Sequence, residues 1–165
     1  MTAAAVPSSA PIPDARARLL RAGLFTGVVD FCWAMVLTLT YGKSLLKLWQ
    51  GVASVPFGKG MLDGGAPTAL VGVVTHFGVA FSWSALLLVL LMRSAWLRGV
   101  LASPGGVFKV AVVWGPLIWI VMSLVMIPLF TGAATPVTVR WFIQLVGHVF
   151  FVGLPMAWGL SGRRP

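Results

Sequence analysis

Charge, and negative charge above all, is scarce in this chain of 165 residues. Only 9% of the residues are charged against 59% that are hydrophobic, and the three acidic residues are Asp14, Asp30 and Asp63. Soluble domains carry about 25% charged residues, so water is not the main solvent of this protein. The single cysteine, Cys32, excludes an internal disulfide and cannot by itself build a zinc or iron–sulfur site.

Sequence signatures of catalysis and nucleotide binding are absent as well. The chain has no HExxH, P-loop or GxGxxG pattern, no paired carboxylates and no Ser–His–Asp order. An enzyme is therefore less favoured than a non-enzymatic role, the enzymatic alternative being a general base at His76 or His148. The twelve Lys and Arg stand mostly at the ends of apolar runs. We interpret the net charge of +9 as a membrane-orientation signal and predict no nucleic-acid partner.

Long apolar segments dominate the rest of the sequence. Crossing about 30 Å of hydrocarbon takes roughly 20 apolar residues in a helix. Four segments reach that length: residues 22–41, 68–92, 107–130 and 139–160. The predicted fold class is an all-α polytopic membrane protein with four transmembrane helices in a bundle. We expect a disordered cytoplasmic tail over residues 1–20, the transmembrane domain over 21–161 and a short cytoplasmic tail over 162–165.

Basic residues are divided unequally between the two sides of these spans. The N-terminal tail, the second loop with its flanks and the C-terminus hold eight Lys and Arg. The first and third loops hold four, which are Lys43, Lys47, Lys59 and Arg140. The positive-inside rule then predicts that both termini are cytoplasmic, in a multi-pass protein of a bacterial-type inner membrane.

The first external loop is the only long connection. Its segment SLLKLWQGVASVPFG places Leu45, Leu48, Trp49 and Val52 on one helical face. This pattern predicts an amphipathic helix that lies in the outer interface and ends at Pro56. A purely structural loop helix is one interpretation, and a substrate gate or partner site is the other.

Three ionisable side chains, Asp30, His76 and His148, fall well inside the spans. Each costs at least about 2.5 kcal/mol to place in hydrocarbon, so function is sought there first. At 1.5 Å of rise per residue the two histidines lie at matching depth, with Asp30 about one turn closer to the cytoplasm. Gln144 shares a helix face with His148. We predict that these four residues form one ligand or proton site.

Small residues mark surfaces for helix packing. Gly23 and Gly27 form a GxxxG motif in the first span, and Gly72 belongs to a comparable stripe in the second, so we expect all three to pack against helices. The GxxxG face is also a candidate contact between copies of the chain. In the third span, Pro116 follows Trp-Gly near the middle and predicts a kink or a cavity wall.

Several functions fit a midplane Asp–His cluster. A proton or ion relay, small-ligand binding and a purely structural hydrogen-bond network all need such residues. Two histidines at equal depth could also hold haem or a metal ion between His76 and His148. We favour a site that binds or transports a small ligand, proton or ion, in a homo-oligomer. The alternatives are an accessory subunit bound to a larger membrane protein and a haem- or metal-binding redox protein.

Five motifs follow one another along the chain: GLFTGVVD, LWQGVAS, GGAPTALVGVVTHF, MIPLF and HVFFVGLPMAWG. Their order resembles a family of small bacterial inner-membrane proteins with four predicted spans and no assigned activity. Beyond the three ionisable residues, the resemblance implies signature positions at Gln50, Gly64, Gly65, Phe77, Pro128, Leu129, Gly153 and Pro155. It implies no reaction, substrate or cofactor. The third span departs from the family, which tends to carry a tyrosine where this chain has VVWGPLIWIV.

Overall fold

The computed structural model describes residues 12–162, which form an all-helical structure. Four long helices are apolar and long enough to cross a membrane: α1 (Ala15–Thr40), α3 (Gly65–Arg93), α5 (Gly106–Thr131) and α6 (Val139–Leu160). Two shorter helices, α2 (Leu45–Phe57) and α4 (Ala95–Ala102), connect them, and a 3-10 turn (Lys59–Leu62) follows α2. The four long helices indicate a multi-pass membrane protein.

Helix α1 begins earlier than the sequence pattern predicts. Residues 15–20, which were expected to belong to a disordered tail over residues 1–20, are helical. This extension is held by Arg18, whose guanidinium donates a hydrogen bond to the carbonyl of Leu160 at the end of α6. Residues 1–11 and 163–165 of the predicted tails lie outside the described residues.

The long helices pack in the order α3, α1, α6, α5. Helix α1 contacts both α3 and α6, and α6 contacts α5 along most of its length. Helices α1 and α6 approach closely at Gly159, where a Cβ would overlap the backbone of Ala22. We call the end of the molecule where α1 begins and α6 finishes the terminal end. The opposite end, which carries residues 41–64 and 132–138, is the α2 end.

The hydrophobic core fills the terminal end. It consists of side chains from α1, α3, α4, α5 and α6, with Leu87, Leu91, Met156 and Leu160 at most 1% exposed. Helix α4, which the sequence analysis did not predict, adds Leu101 to this core. The core closes this end of the molecule because its apolar side chains fill the space between the helices.

Helix α2 packs along the first half of α3. Its buried residues are Trp49, Gln50 and Ala53, so a polar side chain lies on the face that contacts protein. The helix continues through Pro56 to Phe57, contrary to the predicted end at Pro56, and it finishes at Gly58, whose φ is 87°. A proline in the last turn removes one backbone donor, and the turn is completed by the N–H of Gly58, which bonds the carbonyl of Ser54.

Helices α5 and α6 each contain one π-helical turn, at Met122–Met126 and Val149–Gly153. The irregular turn of α5 therefore lies beyond Pro116, where the sequence predicted a kink, and just ahead of Pro128. Pro128 has no N–H to donate to the preceding turn. In that turn, the carbonyl of Ser123 accepts a hydrogen bond from the hydroxyl of Thr135 instead. Pro155 follows the π-turn of α6 in the same way. Such turns are frequent at functional sites.

Candidate functional site

A cavity of about 400 Å³ lies among α1, α2, α3, α5 and α6, on the α2 side of the hydrophobic core. Asp30, His76 and His148 all line it, each from a different helix. Most of the remaining wall is apolar, and among the described residues no Lys or Arg contributes to it. The structure thus brings the three ionisable residues singled out by the sequence around one cavity.

Asp30 and His76 form the first polar pair of this site. Oδ2 of Asp30 lies 3.9 Å from Nδ1 of His76, and Nε2 of His76 lies 3.0 Å from the carbonyl oxygen of Gly27. A carbonyl oxygen only accepts, so Nε2 carries a hydrogen and Nδ1 turns its free position toward the carboxyl group. The two side chains thus face each other at 3.9 Å, a separation too long for a direct hydrogen bond.

His148 reaches the same cavity from α6. Its Nδ1 donates to the carbonyl of Gln144, 2.7 Å away, so in the neutral ring Nε2 is an acceptor. The ring packs against Trp119 with centroids 4.8 Å apart, and it lines the same cavity as Asp30 and His76. On the outer side of this turn, a Cβ at Gly115 would overlap the carbonyl of His148, so α5 fixes the backbone position of this histidine.

Gln144 has a different role from the one predicted. Its side-chain oxygen accepts a hydrogen bond from the indole of Trp33 at 2.7 Å, and its side chain is not part of the cavity wall. Trp33 also stacks on Phe151, with centroids 4.3 Å apart. Gln144 and Phe151 therefore lie on a face that contacts α1, while His148, Val152 and Met156 face the cavity. Gln144 contributes to the site through its main-chain carbonyl, which orients His148.

Thr26 is a cavity residue that the sequence analysis missed. It is 1% exposed, it lines the cavity one helical turn before Asp30, and its hydroxyl has no hydrogen-bond partner within the described part of the chain. Thr75 also lines the cavity, but its hydroxyl donates to the carbonyl of Val71. The four-residue spacing between Thr26 and Asp30 was the available sequence signal, because residues four apart share a helix face.

The glycines of the first span receive aromatic rings from α3. A Cβ at Gly23 would overlap the ring of Phe81, and one at Gly27 would overlap Phe77. The GxxxG face is thus covered within the same chain, which contradicts its assignment as a candidate contact between copies. Gly72 faces the carbonyl of Trp49, so its small size serves the contact with α2.

The remaining residues that the resemblance implies lie either where α2 meets α3 or at the π-turns of α5 and α6. Gln50 donates to the carbonyl of Gly65 and to the hydroxyl of Thr68, which ties α2 to the start of α3. Gly64 precedes this start, and Gly65 has a φ of 68°. Gly153 faces the backbone of Ala111 within the π-turn of α6. Pro155 and Pro128 follow the two π-turns, and Leu129, beside Pro128, is exposed.

Each histidine keeps one ring nitrogen that no hydrogen bond of the described chain occupies, namely Nδ1 of His76 and Nε2 of His148. The free nitrogen of His76 faces Asp30 at 3.9 Å, so a haem or metal ion between the two histidines would have to replace that pairing. Among residues 12–162, no group of three or more His, Cys, Asp and Glu is arranged to hold a metal ion.

Comparison with known proteins leaves the function to be inferred from this cavity. No family model, curated protein or solved structure matches the chain.

Proposed function

We propose that this protein is a four-helix bundle of a bacterial inner membrane that binds a small molecule in the cavity and exchanges a proton with it. The observation that carries the proposal is the placement of Asp30, His76 and His148, from three helices, around one apolar cavity. Each of these residues is costly inside a membrane, and a packed helix contact would be cheaper without it. A ligand or proton site accounts for their convergence.

The tautomer of His76 supports the proton step. With Nε2 bonded to the carbonyl of Gly27, Nδ1 of His76 lies 3.9 Å from Oδ2 of Asp30, so a polar group of the bound molecule would complete the contact between them. His148, with Nδ1 bonded to Gln144, offers Nε2 as an acceptor on the same cavity. The bound molecule is then the group with which these side chains exchange a proton.

The charges at the terminal end support a cytoplasmic position for both termini. Arg18 and Arg21 donate to the carbonyls of Leu160 and Gly159 at the end of α6, and Arg98 donates to the carbonyls of Leu91 and Met92 at the end of α3. Helix α2 would then lie at the external interface, where its buried face covers the cavity.

Ligand binding is tested by native mass spectrometry of the protein released from membranes in mild detergent. We expect a bound small molecule on the wild-type chain and its loss from Val79→Phe, which fills the cavity. Val74→Phe is the matched control, since Val74 lies on the same helix and is 66% exposed. Wild-type protein free of any small molecule but bound to a stoichiometric protein partner would overturn the proposal in favour of an accessory subunit.

A further inference from the structure

One side of the cavity is not covered by any helix among residues 12–162. Its walls on that side are Val79 and Trp83 of α3 and Met122 and Met126 of α5. Helices α1 and α6 form the back of the cavity, whereas α3 and α5 do not pack closely against each other in the described chain. In a membrane, a gap between two spanning helices faces the hydrocarbon of the bilayer.

Both ends of this gap are closed. Toward the terminal end, Trp83 contacts Trp114 edge-to-face with centroids 5.8 Å apart, above the filled hydrophobic core. Toward the other end, Val55 and Pro56 of α2 line the cavity. Access from water at either end is therefore blocked by protein, and the gap between α3 and α5 leads to the lipid.

Helix α2 is held firmly in its covering position. Trp49 stacks on Phe31 with centroids 4.6 Å apart and contacts His76 edge-to-face at 5.4 Å. Gln50, which is 1% exposed, anchors the same turn to Gly65. These contacts attach α2 to α1 and α3 at the α2 end of the cavity.

The polar atoms of the cavity define which molecule it accepts. His148 offers the free nitrogen of a neutral imidazole, and Asp30 offers carboxyl oxygens. These groups are mainly acceptors, so they favour a ligand that donates a hydrogen bond. The carboxyl group of Asp30 and the lack of Lys and Arg on the described cavity surface disfavour an anionic ligand.

We infer that the ligand is an uncharged lipophile with a hydroxyl donor, such as a long-chain phenol, and that it reaches the cavity from the bilayer between α3 and α5. This inference rests on the proposed binding function. The hydroxyl donates to Nε2 of His148, and the indole of Trp119 lies beside the ring of His148. The apolar body of the ligand extends along Val79 and Met126 toward the lipid.

The ligand class is tested with para-octylphenol, its methyl ether and decanoate, titrated onto the detergent-solubilised wild-type protein by native mass spectrometry. We expect one phenol per chain, at least about tenfold weaker binding of the ether, which lacks the donor, and no binding of decanoate. His148→Phe removes the acceptor nitrogen and should weaken phenol binding by at least about tenfold, whereas binding of the ether, which has no hydrogen to donate, should not change.

Equal binding of the phenol and the ether, or binding of decanoate, would overturn the ligand class. If the phenol fails to bind while wild-type protein retains a molecule that Val79→Phe loses, the binding function stands and the hydroxyl lipophile is wrong. If the wild-type protein binds no phenol and retains no small molecule, both proposals fail.

The lateral route is tested by closing the gap. Val79→Cys and Met126→Cys are combined in a Cys32→Ser background and joined by a short bifunctional maleimide, with the two single-cysteine variants treated identically as controls. In lipid nanodiscs, we expect the joined variant to take up the phenol at least about tenfold more slowly than either control. Unchanged uptake, or a cross-link to a second copy seated over the gap, would overturn access from the bilayer.

Discussion

The terminal half and the α2 half of the protein are built from the same long helices but are packed in opposite ways. In the terminal half, Leu87, Leu91 and Leu160 are at most 1% exposed within one continuous core. In the α2 half, the same helices surround a cavity of about 400 Å³ with three ionisable residues on its wall. The difference separates the region that stabilises the helices from the region that is free to bind a ligand.

Local features of the sequence account for this difference. In the terminal half, Gly159 brings α6 against α1, and α4 adds Leu101 to the space between α3 and α5. In the α2 half, the π-turns that precede Pro128 and Pro155 change which residues of α5 and α6 face inward. No element comparable to α4 fills the gap between Val79 and Met126 in the described chain, so the cavity remains.

Leu91→Ala is expected to have the largest effect on stability. Leu91 is fully packed in the terminal core, and deleting such a side chain costs about 2–5 kcal/mol because a void is left behind. Val79→Ala, on the wall of an existing cavity, should cost less than about 1 kcal/mol. Thermal unfolding in detergent, followed by size-exclusion fluorescence, measures both variants.

Leu90→Ala is the control for the same turn of α3, because Leu90 is 38% exposed. Its unfolding temperature should match that of the wild-type protein. Equal losses for Leu91→Ala and Val79→Ala would show that the two halves are packed alike, and the comparison would then be wrong.

Gly115→Ala should affect both halves, with an expected cost of about 1–3 kcal/mol. The added Cβ would overlap the carbonyl of His148, so α6 must move away from α5 and the imidazole must move with it. Small-molecule retention in native mass spectra should fall together with the unfolding temperature. Gly78→Ala, at a position with open space around it, is the control. If Gly115→Ala lowers the unfolding temperature but still retains the small molecule fully, His148 does not contribute to binding.

Sequence patterns were sufficient for the spans and for the three ionisable residues that line the cavity. Apolar length located the four long helices, because hydrocarbon requires about 20 residues per crossing. The cost of a buried charge identified Asp30, His76 and His148, since such residues rarely occur inside a span without a partner. Counting their depth along the helices predicted the two histidines at one level and Asp30 about one turn closer to the cytoplasm.

Other features depended on tertiary contacts that periodicity does not encode. The π-turn of α6 rotates the helix after His148, which separates Phe151 from the cavity wall. Gln144 was assigned to the site from its helix face, yet the indole of Trp33 from α1 binds its side chain. The GxxxG motif indicated a tight helix pair, and the space was filled by Phe77 and Phe81. Local spacing cannot identify which neighbour fills a groove.

Asp30→Asn should stabilise the protein by about 1 kcal/mol, because an amide avoids the cost of an ionisable group in hydrocarbon. The same change should abolish labelling by dicyclohexylcarbodiimide, a lipophilic reagent that attacks protonated carboxyl groups. Peptide mass spectrometry locates the label, and thermal unfolding measures the stability. Asp63→Asn is the control, since Asp63 lies in an exposed ion pair with Lys47. A marked loss of stability in Asp30→Asn would indicate that Asp30 has a structural role instead.

Arg98→Gln should have the smallest effect of the series, about 0.5 kcal/mol, and should act on the terminal half alone. The guanidinium of Arg98 donates to the carbonyls of Leu91 and Met92 at 2.7 and 3.1 Å, where a positive charge also complements the helix dipole. Arg93→Gln removes an equal charge from an exposed position in the last turn of the same helix, so comparing the two isolates the hydrogen bonds. Thermal unfolding at low and high salt measures the difference, which should persist in salt for Arg98 and vanish for Arg93. Because Arg98 is remote from the cavity, phenol binding should be unchanged, and any loss would mean that the terminal core and the cavity are coupled.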